Sequence, residues 1–406
     1  MARATNPDKQ KFAGRIEIID AIRGMAIFGI LLANIRSWSG YRFIPFTDIE
    51  NLPWYELDAL FNQLHYWLVD GKFYAIFSML FGAGFGIQYL KNQQNQQQFI
   101  PRYRRRIFIL LLFGALHALV WSGDILTLYA LLAFVLVSLR NIEERKLLPL
   151  SVFLLSAFSI SQLYALWFIQ PVTEIASLAH KTYAELSPQS ISKGYGTGTW
   201  TDVFAVNLHN LYWRWMDFFP NGRLSRVLGF FVLGFYLVRS GFFQSGIFSV
   251  RNLLAFSVIG LVATAIAFST GTGMSSWSVS GTDVALKLIL VLGQICLAVS
   301  YMCLLAQISK TSLGKRLTHY LSLVGKMAFT SYLMQTAIGI GLFYGVGLGL
   351  WGTMGLAQLW FLAILIFSAQ VLICGLWLRV YRQGPLEWCW GCITNGKLTP
   401  NMRKRL

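Results

Sequence analysis

Acidic residues are scarce in this chain: 17 Asp and Glu stand against 34 Lys and Arg in 406 positions. Charge of either sign is thin, at 13%, where a soluble globular protein carries about 25%. That shortage excludes an ordinary soluble domain. Cysteine is sparse and odd in number, at five, so no disulfide framework is built in. Cys296, Cys303 and Cys374 sit in apolar runs and read as packing residues. Cys389 and Cys392 form a lone C-x-x-C with no second pair, which does not support a zinc or thioredoxin site. No metal site is expected. A cleavable leader is not expected either, because the first apolar run contains Arg23 and lacks a small-residue cleavage site.

What the chain does have is hydrophobicity, 55% of its residues, arranged in long runs with short polar gaps. This predicts an all-α, polytopic transmembrane bundle forming a single domain over 1–406. About ten spans are placed at 17–36, 60–90, 106–122, 125–140, 147–169, 226–239, 252–270, 284–307, 320–346 and 353–379. With the N-terminus in the cytoplasm, the inside segments hold 23 basic residues and the outside segments 7. That is the positive-inside bias, and it places both termini in the cytoplasm of a bacterial inner membrane. The net charge of +17 is thereby a topological signal. No basic helix with interleaved aromatics stands in a soluble context, so nucleic acid is not an expected partner. Membrane lipids are.

The sizeable extramembrane parts are an outer loop, about 170–225, and a cytoplasmic tail, 380–406. The loop holds His180, His209 and the aromatic stretch NLHNLYWRWMDFF. It reads as an interfacial helix with an aromatic belt, or as a lid over an outward-facing pocket. In the tail, Gly384-Pro385 breaks the helix and Trp388 and Trp390 suit an interface. The tail, Glu387 included, is expected to be structural.

Ionisable groups at membrane depth cost roughly 2.5–3.5 kcal/mol each on insertion scales, so they are kept when they pair or work. Here they are Arg23, Lys72, His117, Lys287 and Lys326. Asp20 and Arg23 share a helical face and can pair. They form a structural ion pair or, with Arg106 nearby, a clamp for a phosphate-bearing ligand. His117 lies three turns beyond Arg106. It is a satisfied structural donor or a general base, and Asp124, two turns on, could orient it. Lys72 is placed to stabilise an oxyanion. Lys326 and Gln335 put polar groups on one arc and need partners within the bundle. Arg23, Lys72, His117 and Asp124 are expected to line one cavity. Gly82, Gly84 and Gly86 allow close backbone approach by a helix or a flat ligand.

The runs IDAIRGMAIFGILLANI, KFYAIFSMLFGAGF, RRIFILLLFGALHALVWSGDIL, VLGFFVLGFYLVRSGFF, VGKMAFTSYLMQ and RVYRQGPLEWCWGCITNGK carry a resemblance. They resemble the YeiB-like family of bacterial membrane proteins, the domain-of-unknown-function family numbered 418. Lys326 departs from the family pattern, which has arginine there; that weakens bidentate anion binding at this position. The family is distantly similar to transmembrane acyltransferases such as heparan-α-glucosaminide N-acetyltransferase. The likeness lies in an early Asp-x-x-Arg-Gly helix followed by a glycine-rich second helix. It implies transfer of an acyl group from cytoplasmic acyl-CoA or acetyl-CoA to an acceptor on the outer side. The histidine motif of that enzyme precedes the glycine-rich run, where this chain has His65 or the Asp70-Gly71 pair. His117 does not map onto it. The alternative function is a transporter or lipid-binding protein for an anionic solute or lipid, without covalent chemistry.

Overall fold

The computed structural model describes residues 7–167, 186–218, 222–241, 248–270 and 281–402. Among them every extended regular element is helical, and one isolated antiparallel bridge joins Tyr381 to Met402. The expected all-α polytopic bundle is what forms. His180 lies outside the described residues.

Helix α1 (Pro7–Trp38) holds the first apolar run. The run at 60–90 does not make one helix. It splits into α2 (Tyr55–Leu68) and α3 (Lys72–Lys91). The break falls at Gly71, whose φ of +80° is left-handed and whose missing Cβ leaves room for the side chain of Gln294. Next come α4 (Gln96–Val120), α5 (Leu126–Ser138) and α6 (Glu144–Trp167). The described part of the long loop folds into α7 (Pro188–Gly196) and α8 (Trp200–Phe218). The core then continues with α9 (Arg223–Arg239), α10 (Val250–Ser269) and α11 (Gly281–Ile308). The expected run at 320–346 is also broken, at Met327, into α12 (Ser312–Lys326) and α13 (Ala328–Phe343). Helix α14 (Leu356–Val380) ends before Gly384-Pro385, and α15 (Pro385–Asn395) starts there with proline in its first turn, where a missing N–H costs nothing.

Among the described residues, five helical segments are long and apolar enough to cross a membrane: Glu17–Trp38, Tyr55–Lys91, Val250–Ser269, Val284–Ile308 and Leu356–Val380. Leu126–Asn141 and Ala328–Phe343 are apolar but shorter. Hydropathy counts apolar residues over a window. It does not register a glycine turn or a one-residue break that restarts a helix at a new angle.

Glycines set the tightest crossings, as close packing without a hydrophobic drive requires. A Cβ on Gly325 would sit 1.8 Å from the carbonyl oxygen of Asp20, and one on Gly24 would sit 2.0 Å from that of Leu321, so α1 and α12 touch backbone to backbone. Gly82 and Gly234 do the same for α3 and α9. Gly86 meets Phe235 and Val238, whereas nothing lies within 4 Å of a Cβ on Gly84.

Three carboxylates cap helices distant in space or across a turn. Asp58 of α2 accepts from the backbone N–H groups of Leu356 (2.9 Å) and Ala357 (3.0 Å) at the start of α14. Glu387 of α15 accepts from those of Phe329 (2.7 Å) and Thr330 (3.0 Å) at the start of α13. Asp124 caps α5 through Leu126 (3.0 Å) and Thr127 (2.8 Å). Each places a negative charge on otherwise unsatisfied donors at the positive end of a helix dipole. With so few acids in the chain, this use of three of them is a large share of its structural electrostatics.

Candidate functional site

Two cavities lie back to back in the bundle. The first, about 670 Å³, opens at the loop face, the end that carries α7 and α8. The second, about 260 Å³, lies at the terminal face, beside α15. Tyr332 of α13 lines both. On α3 the wall passes from Tyr74 in the first cavity to Phe77 in the second, and beside α5 from Ile125 to Leu126. Three helical residues rise about 4.5 Å, so the septum is one helical turn thick. Tyr129 braces it, with its hydroxyl 2.5 Å from that of Ser78 and its ring edge-on to Phe81.

The terminal-face cavity gathers Arg23, Arg106 and Lys326, with Glu387. Arg23 pairs with Asp20 at 2.7 Å, the i,i+3 pair that the spacing predicts. Its guanidinium also reaches the carbonyl of Gly325 at 3.4 Å. Arg106 stacks on Trp390, 3.9 Å from the ring centre, and the Trp390 indole donates to the Arg106 carbonyl at 2.8 Å. The tail helix is therefore structural, as expected, and its Glu387 and Trp390 also form part of the cavity wall. Gly84, the one glycine of its trio with open space before it, faces this cavity.

His117 and Asp124 line neither cavity. They form a buried pair in the wall, 6% and 5% exposed, with Nδ1 2.7 Å from Asp124 Oδ1. The other ring nitrogen, Nε2, lies 3.0 Å from Thr336 Oγ1. With Asp124 as an acceptor, Nδ1 carries the proton and Nε2 accepts from the threonine hydroxyl. The ring packs edge-on against Tyr332 and Trp121. The expectation that Arg23, Lys72, His117 and Asp124 would line one cavity is thus corrected. Arg23 belongs to the terminal-face cavity, Lys72 to the loop-face cavity, and the histidine pair to the septum between them. Burial drives this separation: a hydrogen-bonded pair whose donors and acceptors are matched is stable without a cavity.

Gln335 is fully buried and donates to Gln370 Oε1 at 2.9 Å, while Gln370 donates to the Ser331 carbonyl at 3.0 Å. It lines neither cavity and serves the contact between α13 and α14. Lys287 is buried on α11 and also lines neither.

The loop-face cavity holds a second histidine–aspartate pair. His65 Nε2 lies 3.3 Å from Asp70 Oδ1. Here the aspartate is the accessible partner, at 49% side-chain exposure against 2% for the histidine. Lys72, 1% exposed, donates to the carbonyl of Tyr66 at 2.5 Å, a cation on the last turn of α2. Arg36, Arg42, Arg214 and Arg223 complete the basic lining. Arg214 also donates to the carbonyl of Gly123 at 3.1 Å, tying α8 to the turn that carries Asp124. Burial first, and Arg223 second, push the Arg214 guanidinium down to about 10, so it stays charged at neutral pH. Arg36, Arg42, Arg214 and Arg223 are spread over nearly 190 residues of sequence. Their positions alone read as topological charges, and only folding brings them together.

This architecture defines a polytopic helical membrane protein with opposed basic cavities divided by a thin aromatic septum. The chain belongs to the YeiB-like family. The family model described as "Protein of unknown function (DUF418)" matches residues 237–397. The uncharacterized protein YxaH of Bacillus subtilis (strain 168) is 30% identical, over 96% of both chains. The uncharacterized protein YeiB of Escherichia coli (strain K12) is 28% identical over 95% of this chain and 98% of its own. An uncharacterized 39.9 kDa protein of Bacillus acidopullulyticus is 25% identical over 96% of this chain. No solved structure matches the chain.

Proposed function

We propose that this protein is a transmembrane acyltransferase of the bacterial inner membrane, with the terminal face in the cytoplasm. The observation that carries the reading is the shared wall: two cavities on opposite faces meet at Tyr332, one helical turn apart. The basic residues of the terminal-face cavity, Arg23, Arg106 and Lys326, hold the phosphates of an acyl-CoA donor such as acetyl-CoA. The thioester arm reaches the septum beside Tyr332, and the acceptor occupies the loop-face cavity.

Asp70, backed by His65, takes the proton of the acceptor's hydroxyl or amine. The acceptor oxygen or nitrogen bonds to the acyl carbon, the carbon–sulfur bond breaks, and the CoA thiolate regains a proton on the cytoplasmic side. Lys72, with further N–H donors beyond the one held by Tyr66, steadies the oxyanion. His117 and Asp124 hold the septum and Tyr332 in place, and His117 relays a proton if Tyr332 swings aside.

The test is transfer of radiolabel from acetyl-CoA to envelope material by the protein in sealed vesicles. Label should cross with the wild type and be lost in Asp70→Asn. Failure of the purified protein to bind acetyl-CoA or a longer acyl-CoA would remove the reading. The opposed cavities also suit a transporter of an anion between the same two faces. Counter-flow of an anionic solute in vesicles free of CoA would favour that second reading.

A further inference from the structure

The loop-face cavity has a charge balance that transfer chemistry by itself does not require. Arg36, Arg42, Lys72, Arg214 and Arg223 line it, and among the described residues Asp70 is its one carboxylate. Five cations against one anion in about 670 Å³ repel one another, and close like charges are destabilising unless a counter-charge is supplied. The protein supplies little. Arg36 and Arg223 rest on aromatic rings, Arg36 on Tyr41 and Arg223 on Tyr74 and Phe218. The Nε–H groups of Arg36, Arg214 and Arg223 are buried without a hydrogen-bond partner. With these Nε–H groups turned into the wall, an anion in the cavity supplies the missing counter-charge to the guanidinium groups as a whole. Planar guanidinium forks match the oxygens of phosphate in geometry as well as charge.

We propose that the loop-face cavity is a binding site for a phosphate-bearing anion, held by Arg36, Arg42, Arg214 and Arg223. The anion is the headgroup of an anionic phospholipid or a free phosphate ester from the outer side; both present the same oxygens. As the identity of the acyl acceptor this rests on the acyl-transfer reading, but as a binding site it stands without it.

The experiment uses the full chain in neutral detergent and in nanodiscs. Inorganic pyrophosphate is titrated by calorimetry and by thermal shift in detergent. Nanodiscs of phosphatidylcholine are compared with nanodiscs containing phosphatidylglycerol, by native mass spectrometry of retained lipid. Saturable pyrophosphate binding that weakens at least tenfold in Arg36→Gln and in Arg223→Gln supports a free phosphate ester. Retention of phosphatidylglycerol that is lost in the same variants supports a lipid headgroup. Arg42→Gln, at an exposed position, guards against a folding defect and should weaken binding in the same sense. Arg145→Gln, which pairs with Glu143 on the surface and is not part of the cavity lining, should change nothing. Absence of both pyrophosphate binding and selective lipid retention overturns the site, as does binding equal in wild type and all three cavity variants. Neither result touches acyl-CoA binding at the opposite face, so the two proposals fail separately.

Discussion

Asp124 Oδ1 lies 2.7 Å from His117 Nδ1 and also accepts from the backbone of Leu126 at 3.0 Å. One carboxylate thus fixes an imidazole and starts a helix, so any change at Asp124 mixes two effects. The histidine separates them. His117→Gln keeps a hydrogen-bonding shape toward Asp124 and Thr336 but cannot take up a proton. If His117 only holds the septum, glutamine should keep acetyl transfer near the wild-type rate, and alanine should lower thermal stability by about 1–3 kcal/mol. If His117 relays the proton, both variants should lose turnover while glutamine stays folded. Melting curves and label transfer on the same preparations decide between them.

The accessible aspartate gives a sharper expectation. Asp70→Asn should fold as the wild type, since half of the side chain is exposed in the cavity. It should reduce acyl transfer by roughly 10²–10⁴-fold, the usual share of a positioned proton acceptor. Acyl-CoA affinity should be unchanged, because Asp70 lines the opposite cavity from Arg23 and Arg106. Unchanged turnover in this variant would remove Asp70 from the mechanism.

On the terminal face, Arg106→Gln and Lys326→Gln should weaken acyl-CoA binding, with the double variant weaker than either. Arg106 also stacks on Trp390, so Trp390→Leu serves as a control for packing. It should cost stability with a smaller loss of CoA affinity. Equilibrium binding to a fluorescent CoA analogue measures this.

Two glycines in the same bundle should answer oppositely to one methyl group. Gly325→Ala would put a Cβ 1.8 Å from a backbone oxygen of α1, which cannot move without shifting the helix. A loss of about 1–3 kcal/mol is expected. Gly84→Ala meets nothing within 4 Å and gains up to about 1 kcal/mol from reduced backbone freedom. Thermal unfolding in one detergent compares them, and equal melting points would refute the backbone contact.

Orientation is tested by labelling in a cysteine-free background. A cysteine at exposed Asn95, on the turn between α3 and α4, should react only with a reagent that crosses the membrane. One at Leu348, exposed beyond α13, should react with an impermeant reagent from outside. The reverse pattern would invert the protein and the assignment of donor and acceptor faces.

The sequence by itself determined that this is an all-helical membrane protein, because hydropathy and charge scarcity are sums over residues that need no partner. It also determined the Asp20–Arg23 pair, since both lie within one turn of a single helix; the His117–Asp124 contact instead needs the turn after Val120, which carries Asp124 back to the end of α4. The two breaks at Gly71 and Met327 were less legible, because an apolar run looks the same straight or bent. What only the tertiary structure decided is the grouping of charges. Arg36, Arg42, Arg214 and Arg223 come from four separate segments, and no periodicity links them. Their convergence is a property of how helices cross, which glycine contacts such as Gly325 against Asp20 and carboxylate caps such as Asp58 on α14 dictate through three-dimensional packing.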